Sequence, residues 1–140
     1  MTHPNHLFVY GTLRRDYASE PQRALLRDTE FIGEATVQGQ LFVSGEYSAL
    51  VPMATEQTVK GEISKISPPH LQETLDELDE YEGVKDRGKP SDYRREIVVV
   101  RVAATGETMD AWSYVLNRPY EGLERIPSGD YREWRRSSSA

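Results

Sequence analysis

The chain has 140 residues, of which 37% are apolar and 29% charged, and its formal net charge is −6; that is enough chain for one domain with a real core. The acidic balance speaks against a general binder of nucleic acid or membrane surface, whose phosphates it would repel, while leaving room for a small anionic ligand in a local site. With no cysteine in the sequence, thiol nucleophiles, disulfides and cysteine-held metals are excluded.

At the N-terminus, "MTHPNHLFVYG" has no basic segment leading into a long apolar run, so no signal peptide is predicted. No stretch approaches the roughly 20 consecutive apolar residues of a membrane span, and the cytoplasm is the default location. Residues 7–10 form a short apolar run closed by Gly11, which reads as a buried strand meeting a turn. "PQRALLRD", from Pro21, fits a short helix with proline in its first turn. Residues 31–43 are β-like but interrupted by Gly33 and Gly39, the pattern of a bulged or bent strand. Residues 58–66 alternate, with Val59, Gly61, Ile63 and Lys65 on one face and Lys60, Glu62, Ser64 and Ile66 on the other. Residues 95–103 are rich in valine and pair naturally with residues 109–116 across "ATGE", a hairpin signal. "IPSGDYREW", residues 126–134, reads as a closing turn, with Tyr131 and Trp134 either plugging the barrel end or, for Tyr131, reaching a ligand.

One helix is strongly marked between these strands. Ser67 can serve as its N-cap, Pro68 takes the first helical position, Ile66 and Leu71 fit a hydrophobic staple, and Gly83 fits the stop. Several strands, one main helix and frequent glycine breaks predict an α+β fold: a small curved β-sheet or β-barrel in a single domain, residues 1–134, followed by a frayed tail, residues 135–140.

The helix carries an anomaly. At about 100° per residue, and with Leu71 at zero, Leu75 lies near about +40°, Leu78 near about −20° and Glu82 near about +20°. Glu82 therefore shares the leucine stripe, whereas Asp76, Glu77 and Glu80 fall on the solvated side and Asp79, near about +80°, is intermediate. A carboxyl group in that stripe, at the negative end of the helix dipole, has its pKa pushed upward, as general acid/base chemistry at cellular pH requires. The alternative is a frayed last turn that bends Glu82 into water.

A second constellation lies in "FVYGTLRRD". A strand ending at Tyr10-Gly11-Thr12 leaves main-chain N–H groups beyond its last sheet bond, and Gly11 lets a ligand approach closely. Such a turn can cradle a carboxylate or a developing oxyanion, with Arg14 or Arg15 adding charge; a plain β-turn with surface arginines is the ordinary alternative. The histidines, His3, His6 and His70, show no metal-ligand spacing on one helix face, so no metal or other cofactor is expected. Trp112 and Tyr114 share one strand face and read as core, while Tyr47 and Tyr120 are candidates for the pocket border.

"VYGTLRRD", then "LDEYEG" after a helix, then "AWSYVLNR" and "IPSGDYREW", occur in the order that resembles the gamma-glutamylcyclotransferase family. "EYSALVP", "VKGEISKI" and "YRREIVVV" are similar to its middle and later segments, so the resemblance spans nearly the whole chain. The resemblance implies a compact α+β fold around a small barrel with the pocket at its mouth. It implies Glu82 as the catalytic acid/base, a cradle lined by Tyr10, Gly11, Thr12 and Leu13 mainly through backbone N–H groups, and Tyr93 as a further substrate contact. Ser48 departs from the family pattern, which has proline before the aliphatic pair.

In the reaction that resemblance implies, the α-amine of a γ-glutamyl amine or amide attacks the side-chain carbonyl, closes 5-oxoproline and expels an amine. No external nucleophile is needed, which suits a chain without cysteine or a "GxSxG" elbow. The partner expected is a small γ-glutamyl substrate, with no nucleic acid and no membrane. Two alternatives remain open: an amide or acyl hydrolase in which Glu82 activates water, and a non-catalytic binding module of the same fold. The leaving amine and the oligomeric state are not legible.

Overall fold

The computed structural model describes residues 4–11, 13–14, 20–45, 47–84 and 92–138, with the backbone alone at residues 21 and 136–138. Seven strands run in chain order: β1 (His6–Val9), β2 (Thr29–Ser44), β3 (Tyr47–Pro52), β4 (Thr58–Ile66), β5 (Tyr93–Val102), β6 (Thr108–Leu116) and β7 (Arg125–Ile126). Among the described residues three α-helices accompany them: α1 (Glu20–Leu25), α2 (Leu71–Tyr81) and α3 (Tyr131–Ser138).

The sheet closes on itself as a five-stranded mixed barrel. β1 pairs antiparallel with β4, β4 with β2, β2 with β5 and β5 with β6, and a parallel contact of Leu7 with Trp112 returns β6 to β1. The long strand β2 serves two neighbourhoods. Ala35 to Val37 pair with β4 on one side and β5 on the other, whereas residues 39–44 pair with β3, and Leu41 and Phe42 also with β7. The expected interruption at Gly33 is a register shift between Phe31 and Gly33, and the strand continues through it.

Period-2 alternation decides which side chains fill the barrel. Val59 and Ile63 of β4, Val98, Val100 and Val102 of β5, and Phe8 of β1 join one buried cluster with Leu41, Leu50 and Tyr131. The alternate residues of β1, Leu7 and Val9, face outward under α2, where they pack with Ile66, Leu75, Leu78 and Tyr114. Each such leucine stabilises the docking of α2 by roughly 1.5–3 kcal/mol. The stripe read from helical spacing is thus the face that seats α2 on the barrel wall.

Two local expectations are corrected. Ser67 makes no side-chain cap; the helix opens with a 3-10 turn, Pro68–His70. Prolines at 68 and 69 have no N–H to offer, and the His70 N–H already goes to the Ser67 carbonyl at 2.9 Å. The closing segment is also more than a turn, because α3 starts at Tyr131. Asp130 caps it, its carboxylate accepting from the Arg132 N–H at 2.9 Å. Tyr131, fully buried in the barrel cluster, is the plug, with Trp134 packed on its ring at 5.7 Å.

Candidate active site

α2 ends where its sequence demands. Gly83 takes φ 75°, the left-handed conformation that suits glycine. Its N–H donates to the Glu80 carbonyl at 3.1 Å and that of Val84 to the Asp79 carbonyl at 2.8 Å, a Schellman closure that holds the last turn in place. Glu82 is the C-cap residue, still in helical conformation (φ −84°, ψ −1°), with its N–H bonded to Leu78. Its carboxyl is therefore held along the stripe of Leu75 and Leu78. Burial pushes its pKa up to about 7.

Tyr10, just past the end of β1, Tyr93 of β5 and Tyr114 of β6 all lie near enough to feel the charge of this carboxyl. Burial is the main cause that raises the pKa of Tyr10, Tyr93 and Tyr114, and the charge of Glu82 contributes at each. The Tyr10 hydroxyl donates to the Tyr114 carbonyl at 2.6 Å and accepts from the Leu50 N–H at 3.1 Å, tying the end of β1 to β6 and β3. Tyr10 is thus a strut whose hydroxyl is committed to the main chain. Tyr93 is half-buried, and its hydroxyl donates to the Ser48 carbonyl at 2.8 Å.

Behind Glu82 lies a polar brace. Asp79 is buried, accepting from the Tyr114 hydroxyl at 2.6 Å and from Arg95 at 2.8 and 3.3 Å. The Arg95 guanidinium lies 4.5 Å from the centre of the Trp112 ring. This brace fixes the last turn of α2 to β5 and β6. Asp79→Asn keeps the shape but removes the charge that two donors share. It is expected to cost about 2 kcal/mol of stability and to lower activity by loosening Glu82, as chemical denaturation and steady-state rates would register.

The turn after β1 follows directly on Tyr10. Gly11 is half-exposed, Leu13 is buried beneath α2, and the Arg14 N–H closes the turn on the Gly11 carbonyl at 3.0 Å. Thr12 and Arg15 lie outside the described residues. Arg14, read from sequence as a candidate charge for a ligand, is instead buried and paired with Asp130 at 3.1 Å, linking the turn to the cap of α3. Tyr47 is exposed and close enough to Tyr93 for its charge to count, whereas Tyr120 packs on Phe42 at 5.0 Å. Arg118, unremarked in the sequence, bonds Ser44 at 2.9 Å and adds a cation near Tyr93. Among the described residues no group of histidines and carboxylates is set to hold a metal ion, and no helix is long and apolar enough to cross a membrane.

The structure thus combines a five-stranded mixed barrel with a largely buried carboxyl at the end of the helix docked on its wall. Residues 7–133 match the family model described as gamma-glutamyl cyclotransferase, AIG2-like, and the chain belongs to that family. It is 31% identical over 126 residues to the gamma-glutamylcyclotransferase family protein YtfP of Escherichia coli K12, covering 89% of this chain and 94% of that protein. The solution structure of E. coli YtfP superposes with a TM-score of 0.61 at 29% identity, over 93% of this chain and 98% of the other. The crystal structure of YkqA from Bacillus subtilis gives 0.71 at 25% identity, over 98% of this chain but only 43% of that longer chain.

Proposed function

We propose that the protein is a gamma-glutamylcyclotransferase that releases 5-oxoproline from a γ-glutamyl amine or amide, with Glu82 as general acid/base. The observation that carries this reading is the shielded Glu82 carboxyl, poised at a pKa of about 7. An acid so tuned can accept a proton and return it within one turnover near neutral pH. Glu82 takes a proton from the substrate ammonium, freeing the amine. The amine forms its bond to the γ-carbonyl carbon, the C–N bond to the leaving amine breaks as Glu82 returns its proton to that nitrogen, and a second proton passes from the attacking nitrogen to the leaving amine, which departs as the ammonium while the lactam keeps one N–H. The folded substrate supplies its own nucleophile, so the site's task is positioning and stabilisation of the oxyanion. The main chain of Gly11 to Leu13 is the proposed cradle, with Thr12 among its members and Tyr10 and Tyr93 framing it. The substrate is a small molecule of the cytoplasm, with no nucleic acid or membrane partner.

Incubation with a panel of γ-glutamyl amines, followed by mass spectrometry, is expected to show 5-oxoproline together with the free amine. Release of glutamate in place of 5-oxoproline would assign Glu82 to water activation and make the protein a hydrolase. Binding of panel members without turnover would leave a binding module.

A further inference from the structure

Ser48 of β3 is 5% exposed, and its hydroxyl oxygen is shielded from solvent with no hydrogen-bond partner among the described residues. A buried hydroxyl in that state is destabilising, and alanine would remove it without that penalty. Such groups are few in native proteins and call for a reason.

The position of the hydroxyl supplies one. A Cβ built on Gly11 would lie 3.2 Å from Ser48 Oγ, so the hydroxyl stands against the bare side of the Gly11 main chain. The same residue is anchored from the other direction, because its carbonyl accepts from Tyr93 and its backbone is paired with Val43. The strand is thereby fixed, while the hydroxyl remains able to rotate toward a new partner. Ser48 thereby touches both the Gly11 turn and Tyr93, the groups proposed above to frame the substrate.

Resting on the cyclotransferase reading, we propose that Ser48 is a substrate-contacting residue whose hydroxyl donates a hydrogen bond to an anionic oxygen of the γ-glutamyl group held against the Gly11 turn. Two oxygens have this chemistry. The α-carboxylate is anionic throughout, and its contact would be felt in KM. The oxyanion exists only as the amine attacks, and its contact would be felt in kcat.

The test is Ser48→Ala in the full chain, read by thermal melting, by 5-oxoproline formation from the amine panel and by calorimetric binding of 5-oxoproline. The expected result is an unchanged or slightly raised Tm with kcat/KM lowered roughly 10- to 100-fold, the loss of one hydrogen bond to a charged group. Ser48→Cys, similar in size but a weaker donor, is expected to fall between serine and alanine. Wild-type kcat/KM and wild-type product binding in the alanine variant would overturn the role of Ser48 alone. A Tm lowered in step with activity would also overturn it, by making the hydroxyl structural. A wild-type protein that neither forms nor binds 5-oxoproline would remove the cyclotransferase reading and this proposal with it.

Discussion

Glu82→Gln is expected to slow 5-oxoproline release by at least about 100-fold, the ordinary worth of a positioned acid/base. Glutamine keeps the shape and the hydrogen-bonding reach but can neither take nor return the proton. The wild-type pH–rate profile should rise through about pH 7, where the Glu82 carboxyl ionises, and that limb should vanish in the variant. The same substitution should stabilise the fold. A carboxyl whose folded pKa is raised holds its proton more tightly folded than unfolded. Its contribution to stability is therefore complete below about 4.5 and is lost as pH rises through about 7. Glutamine mimics the protonated acid at every pH. Discounting the shift for partial exposure leaves an advantage of about 2 kcal/mol above pH 8, seen as a Tm several degrees higher. At pH 4.5 the two proteins should melt together. A variant that loses activity without gaining stability at high pH would place the carboxyl in water.

The second large effect lies in β4. Gly61→Ala would put its Cβ against the Val9 carbonyl oxygen, well inside contact distance, and 2.7 Å from the Phe8 ring. A flexible side chain could yield, but a main-chain carbonyl can do so only by moving β1. Val9 leads directly into Tyr10 and Gly11, so the displacement is transmitted to the proposed cradle. The expected cost is about 3 kcal/mol, the upper end for overpacking, with a fall in Tm of roughly 10 °C and a parallel loss of turnover. Gly33→Ala is the matched control: nothing lies within 4 Å of its built Cβ, so its effect should stay within about 0.5 kcal/mol. Equal melting of the two variants would mean that β1 and β4 are not packed this closely.

Periodicity exposed the features that depend on one element at a time. The leucine stripe of α2 put Leu75 and Leu78 on the face that docks on the barrel, as found; the alternation of β4 grouped Val59, Gly61 and Ile63, all buried, but it also set Lys65 with them, which is exposed, and Glu62 and Ile66 on the other face, where both are buried. The family resemblance agreed as well, through motifs spread along most of the chain. What was not legible depends on strands meeting across the ring. Tyr10, Tyr93 and Tyr114 are far apart in sequence and come together only because β1, β5 and β6 are neighbours. Asp79 showed an intermediate angle, but nothing local named Tyr114 or Arg95 as its donors. The short strand β3 was passed over because six residues ending in proline give a weak signal. α3 did leave a mark: Asp130 followed three positions later by Glu133 is a helix-start spacing.

Closure of the barrel through Leu7 and Trp112 sets an order of events for a chain emerging from the ribosome. The segment that carries the proposed cradle is made first, yet its strand has no closing neighbour until most of the polypeptide has been synthesised. Such distant pairings form slowly, because a long loop must be ordered before they contribute. The proposed site is therefore completed at the end of folding, and a nascent chain halted short of the sixth strand carries the proposed cradle sequence without a ring to hold it.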